Sequence, residues 1–182
     1  MKELSLHILD IVHNSIAADA SQITVEIIED PAADWLSFSI QDNGKGMSDE
    51  LIRRVRDPFV TSRSTRRVGL GIPLLLHACE ACGGDLQITS SLGIGTTISA
   101  RLGYSHIDRA PLGDMAETMH GLITSFLAVE FLYRHKVGEK EFSADTRKIK
   151  AILGDVPLDV PEVLLWLLEF LRDGEKSLYQ EG

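Results

Sequence analysis

A chain of 182 residues with 44% apolar and 25% charged side chains has the make-up of one globular domain, or one domain with an appendix, which excludes a disordered tail or a fibrous repeat. Lys and Arg number 18 against 27 Asp and Glu, a formal net charge of -9 that repels polyanions and argues against nucleic-acid or anionic-membrane partners. The start, Met1-Lys2-Glu3-Leu4-Ser5-Leu6-His7, lacks the basic flank and apolar run of a signal peptide, and no stretch approaches the roughly 20 apolar residues that span a bilayer, so the expected location is the cytoplasm.

Residues 2 to 19 carry Leu4, Ile8, Ile11, Val12 and Ile16 at helical spacing, with His7, Asp10 and Asn14 on another side of the same helix. Two β-like runs follow, Gln22 to Ile28 and Trp35 to Gln41, read as antiparallel neighbours joined by the polar turn around Pro31. After Asp42-Asn43-Gly44-Lys45-Gly46, Ser48 caps a short helix whose first turn holds Asp49 and Glu50. Residues 57 to 68 are polar and arginine-rich without periodicity, a loop. A helix then runs from near Gly69 to Cys82 and stops at Gly83-Gly84. Asp85 to Ser90 and Thr96 to Leu102 read as a hairpin. The expected fold of residues 1–103 is an α/β sandwich, a mixed, mainly antiparallel sheet covered on one face by helices.

From Tyr104 onward the texture changes to helices separated by Pro111, Gly138, Gly154, Pro157 and Pro161, so residues 104–182 are expected to form an all-helical extension. Met115 to Tyr133 is amphipathic through Met115, Met119, Leu122, Ile123 and Phe126. Val163 to Leu171 is apolar except at Glu169, and either packs against the first domain or docks on a partner or a second copy as a homodimer. Cys79 and Cys82 read as reduced structural thiols. With His77 they offer three soft ligands on one helix, too few for a zinc site.

Three separated pieces carry chemistry. Asp42, at a strand end beside a glycine bend, can accept from the exocyclic amino group of adenine but has no hydrogen to offer a guanine carbonyl. Gly69-Leu70-Gly71 opens a helix, where free N–H groups and the positive end of the dipole suit phosphate. Asn14 offers a neutral oxygen suited to Mg²⁺. Arg63 and Arg67 stand in a loop able to close over a polyphosphate. Each piece alone has a plain structural reading, as a turn, a helix junction or a solvated face.

Together they resemble the GHKL (Bergerat-fold) superfamily of ATPases and kinases. Asp10-Ile11-Val12-His13-Asn14-Ser15-Ile16 is similar to its asparagine box and Asp42 to Gly46 to its first glycine box. Asp57-Pro58-Phe59 matches the phenylalanine box, Gly69-Leu70-Gly71 the second glycine box and Gly95-Thr96 the terminal Gly-Thr element. The wording is closest to the histidine-kinase branch. The resemblance implies ATP as ligand, with Asn14 on Mg²⁺ and phosphates, and Asp42 on the adenine amino group. Gly44 and Gly46 would shape the adenine pocket, Gly69, Leu70 and Gly71 would face the phosphates, and Thr96 would support the adenine contact. Residues 57–68, with Arg63 and Arg67, would be the ATP lid. Arg67 stands where that branch usually has a further glycine.

Hydrolysing members place a glutamate one helical turn before the asparagine, and here Asp10 is the candidate general base, one methylene shorter. The resemblance leaves two reactions open. One is a signalling protein kinase passing the γ-phosphate to a histidine or serine of a partner protein. The other is a nucleotide-operated protein-binding switch with slow or no hydrolysis. The asparagine box begins ten residues from Met1, without room for a preceding phosphoacceptor helix. His106, His120 and His135 follow the ATP-binding domain, and packed or solvated histidines are their default reading.

Overall fold

The computed structural model describes residues 2–57 and 70–181. The first half contains α1 (Leu4–Ala17), β1 (Gln22–Asp30), β2 (Trp35–Asp42), α2 (Asp49–Val55), α3 (Gly71–Ala81), β3 (Asp85–Ser91) and β4 (Gly95–Gly103). The second half adds α4 (Met115–Ser125), β5 (Glu130–Val137), β6 (Lys140–Asp145), α5 (Thr146–Leu153) and α6 (Pro161–Ser177). One six-stranded sheet runs in the order β3-β4-β2-β1-β5-β6. Only β1 and β5 are parallel; every other neighbouring pair is antiparallel.

Strand alternation decides the layering. Ile23, Val25 and Ile27 of β1, Leu36, Phe38 and Ile40 of β2, and Ile98, Ala100 and Leu102 of β4 are buried in a single core with Leu4, Ile8 and Ile11 of α1 and Leu75 of α3. Their alternates, among them Glu26, Ser37, Ser39, Gln87, Ser99 and Arg101, line a shallow open groove on the other face. The sandwich expected from the sequence is therefore present, with helices gathered on one side. Ser48 caps α2 as expected, accepting from Leu51 N at 3.2 Å.

The extension is helical in three elements but not throughout, which corrects the all-helical expectation. The helical period ends with α4 at Ser125, and a period of two takes over: Phe131, Tyr133 and His135 are buried while Leu132, Arg134 and Lys136 are less so. Gly138, at φ +57°, helps turn β5 into β6 through a two-residue link. β1 thus acquires a partner on each side and ceases to be a sheet edge. The apolar helix is α6, and it is covered on one side only: Val163, Leu167 and Leu171 are buried, Leu165 and Trp166 exposed. Among the described residues no helix is long and apolar enough to cross a membrane.

Two glycines in the second half sit in opposite surroundings. A β-carbon on Gly174 of α6 would overlap the Phe142 ring, which is itself held edge-on by Tyr133 and Phe170. Gly121 of α4 has open space at that position. Gly174→Ala is expected to destabilise by about 1–3 kcal/mol through overpacking. Gly121→Ala is expected to stabilise by roughly 0.5–1 kcal/mol through helix propensity. Urea midpoints of the two variants check both signs.

Candidate functional site

The site lies where the C-terminal end of β2 meets the start of β4 and the last turn of α1. Asp42, the last residue of β2, stands opposite Thr96 of β4 and Ile23 of β1. Three donors fix its carboxylate. Ser15 Oγ of α1 donates to Oδ2 at 2.5 Å, while Gly44 N and Thr96 N donate to Oδ1 at 2.9 and 3.3 Å. An ionised carboxylate offers about four acceptor positions, so one, on Oδ2, is left for a ligand.

The glycine loop is pressed between α1 and the β3–β4 hairpin. Lys45 N donates to Ala18 O at 2.9 Å, and Gly93 N donates to Lys45 O at 2.8 Å. A β-carbon on Gly44 would come within 2.7 Å of Ala18 O. Gly46 has φ +70°, and a side chain there would overlap the Ser91 carbonyl. Asn43 serves the frame, accepting from Ser21 N and Gln22 N, both at 2.9 Å, and so anchoring the start of β1.

Above the carboxylate opens a cavity of about 390 Å³. Its walls are mostly apolar, from Ile11, Ile40, Met47, Leu51, Ile72 and Ile98, and its polar groups converge at Asn14, Ser15, Asp42 and Thr96. Apolar walls with a few placed hydrogen-bonding groups suit a flat heterocycle. Ser90 braces this end from behind: it accepts from Met47 N at 2.7 Å, donates to Gly95 O at 2.9 Å and lies 2.8 Å from Thr96 Oγ1. Thr96 therefore reaches Asp42 through its backbone, while its hydroxyl is engaged with Ser90.

At the cavity mouth, Asn14 is exposed, and its side chain makes no hydrogen bond to the described residues. Asp10 lies one turn earlier on α1, beside the start of α3: a β-carbon on Gly71 would be 3.5 Å from Asp10 Oδ2. Leu70 is the N-cap residue of α3, exposed and without a side-chain capping bond. Pro73 has no amide hydrogen and Leu74 N already bonds Leu70 O at 2.9 Å, whereas the Gly71 and Ile72 N–H groups have no partner among the described residues. Arg63, Arg67, Gly69 and most of the expected lid lie outside the described residues.

The structure thus brings Asn14, Asp42, Gly46 and Thr96 to the walls of one strand-end cleft, with Gly44 bonded to Asp42, and sets Asp10 beside Gly71 at the start of α3 next to the exposed Leu70. Ser15 and Ser90 were not singled out by sequence reasoning. Ser15 follows Asn14 directly on a helix whose buried face it shares, a signal that could have found it; Ser90 carried none. The remaining titratable groups take structural places. Cys79 and Cys82 are free and buried, and burial pushes the Cys79 thiol up to about 12. His120 Nε2 lies 2.9 Å from Leu164 O, and both ring nitrogens of His135 face carboxylates. Among the described residues no group of three or more His, Cys, Asp or Glu side chains could hold a metal ion.

A family model described as histidine kinase-, DNA gyrase B- and HSP90-like ATPase matches residues 2–106. The chain is 34% identical over 110 residues to sensor protein kinase FleS of Pseudomonas aeruginosa, covering 60% of this chain and 27% of that protein. It is 32% identical over 111 residues to the non-motile and phage-resistance protein of Caulobacter vibrioides, covering 56% of this chain and 13% of that protein. The chain therefore spans only a minor part of the relatives it matches. Among solved structures, the N-terminal domain of a DNA repair protein shares the fold at TM-score 0.52 and 16% identity, over 85% of this chain and 58% of that one.

Ser15 supplies a test of the site geometry. Removing its hydroxyl frees Asp42 Oδ2 to turn without opening a large void. Ser15→Ala is expected to weaken ATP binding by roughly fivefold, about 1 kcal/mol, with the fold retained. Calorimetric titration beside a thermal melt reads both.

Proposed function

This chain belongs to the histidine kinase-, DNA gyrase B- and HSP90-like ATPase family, and from that premise we propose that it binds Mg-ATP and passes the γ-phosphate to a side chain of a partner protein. The observation that carries the reading is the single open acceptor position on Asp42 at the floor of an apolar cavity of purine size. A carboxylate there accepts from the exocyclic amino group of adenine and discriminates against guanine, which presents a carbonyl instead. Ile11, Met47 and Ile98 exclude water from the ring faces.

The phosphate tail would run from that pocket towards Asn14 and the start of α3. Gly71 and Ile72 would present backbone N–H groups to it, and Asn14 would hold Mg²⁺ through its amide oxygen. The donor set fits a hard cation, since the free Asn14 amide and the Asp10 carboxylate are both oxygen ligands at the mouth. Bound Mg²⁺ would spread the charge of the phosphates, and little covalent chemistry is then required of the protein beyond positioning. Arg63 and Arg67 are assigned to the closing side on the sequence alone. Gly69 is assigned to the phosphates on the same ground.

The acceptor is placed on another protein because two of this chain's three later histidines are poorly suited, His106 alone being exposed. His135 is fully buried with both nitrogens engaged, and His120 is bonded to the backbone of α6. The sensor-kinase relatives support a signalling setting. Asp10 has room to hold a water beside Gly71, and we assign it any residual hydrolysis.

The test has two arms. Asp42→Asn replaces half of the acceptor set with a donor and is expected to lower ATP affinity at least tenfold, roughly 1.5–3 kcal/mol. Asn14→Ala should weaken binding only when Mg²⁺ is present. With γ-labelled ATP and candidate partners, label on the partner supports transfer. Released phosphate that disappears in Asp10→Asn marks an ATPase. Binding without either outcome marks a nucleotide-operated switch, and unchanged affinity in Asp42→Asn overturns the pocket itself.

A further inference from the structure

A buried polar cluster stands at the opposite end of the strands from the nucleotide pocket and takes no part in it. His135 of β5 is fully buried. Its Nε2 lies 2.9 Å from Glu29 Oε1 of β1 and its Nδ1 lies 2.8 Å from Glu175 Oε2 near the end of α6. Tyr133 OH donates to Glu175 Oε1 at 2.7 Å, and Tyr179 OH donates to Glu29 Oε1. Tyr104 and Arg109, from the segment after β4, also act on Glu29. Beyond the cluster, the Lys140 ammonium at the start of β6 donates to Gln180 O.

The arrangement constrains the ring without reference to titration. A neutral imidazole carries one N–H, so one of the two carboxylates would face a bare nitrogen lone pair at hydrogen-bond distance. Both contacts are satisfied only if both nitrogens carry hydrogen. The imidazolium between the two carboxylates, with Arg109 also acting on Glu29, then ties β1, β5 and the end of α6 together. Glu29 sits on a strand paired on both sides, whereas Glu175 is two residues from the end of α6, a helix covered on one side only. The α6 end is the part able to yield.

We propose that the doubly protonated His135 ring is a charge lock holding the end of α6 and residues 178–180 against the sheet, and that loss of its proton releases that segment. Without the proton one carboxylate is buried beside a lone pair, and moving Glu175 into water is the least costly relief. Leu178, buried in the closed state, and the ring of Tyr133 would then become accessible.

Burial alone would lower the ring's pKa, but Glu175 and Glu29 outweigh it and raise it to about 9. Glu29 is held below its ordinary value, burial being outweighed by His135 and Tyr179. Since the folded pKa of His135 lies above the unfolded one near 6.5, its stabilisation is complete below about 6.5 and is lost as pH rises through about 9. Acid strong enough to protonate Glu29, which is held below the ordinary carboxylate range, weakens the lock from the other side.

Hydrogen exchange of the full chain at pH 7 and pH 10, corrected for base catalysis, tests this. The amides of residues 173–181 should open on the order of tenfold more at the higher pH, while β1 and β2 stay protected. His135→Gln should be open at both values. Glu175→Gln, which keeps the shape and removes one charge, should shift the opening towards neutral pH and serves if the first variant fails to fold. Equal protection of residues 173–181 at both pH values overturns the lock. So does parallel loss of protection across β1 and β2, or an unmoved midpoint in Glu175→Gln.

Discussion

The proposed nucleotide pocket depends on the orientation of one carboxylate. Asp42 ends a strand, where a side chain would ordinarily be free to turn, and three donors from three elements remove that freedom: Ser15 from α1, Gly44 from its own turn and Thr96 from β4. The glycines follow from this demand. Gly44 passes so close to the end of α1 that a side chain would strike the Ala18 carbonyl, and Gly95 lies against the Asp42 backbone for the same reason. A carboxylate held by backbone amides and one short hydroxyl has few rotamers to order on binding, so under the proposed reading binding free energy can go to discrimination between purines rather than to assembly of the site.

The second half of the chain completes the sheet on which this pocket stands. β1 starts beside the pocket, with Ile23 opposite Asp42, and β5 lies along its other side from Gln22 to Glu29. Without β5, that strand would offer a row of unpaired amides and carbonyls to solvent. α4 and α6 then bury Met119, Leu122, Leu167 and Leu171 in the common core. Stability of the pocket and integrity of the extension are thereby physically linked, although the family match itself stops at residue 106.

What the sequence made legible was chemistry that is local. The Asp-Asn-Gly-Lys-Gly turn, the Ser48 cap and the helix opened by Gly71 each announce themselves within a few residues, because positive φ, capping and missing side chains are short-range requirements. Ser15 was not legible as a brace because its partner is 27 residues away, and Ser90 likewise serves Met47 across 43 residues. The β5 strand was hidden behind α4: its apolar residues continue an apolar stretch, and only the change from a period of 3.6 to a period of 2 marks the boundary. The His135 cluster draws its members from β1, β5, α6 and the tail, a convergence invisible until the topology is known.

The two polar constellations differ in a way that matters for how the molecule moves. Around Asp42 the donors are backbone N–H groups and a helix-borne serine, all on elements packed within the core, so the carboxylate can change its surroundings only if the sheet itself deforms. Around His135 the bonds are made by long side chains, and two of the partners, Glu175 and Tyr179, come from the last turn of α6 and the residues just after it. About six residues of β1, close to 20 Å of strand, separate the levels of the two sites. β1 is paired on both flanks over that length and transmits position faithfully, whereas the α6 end is restrained by one helix face and a few charges. Opening of the proposed lock therefore belongs to the end remote from Asp42, whose surroundings stay fixed while it happens.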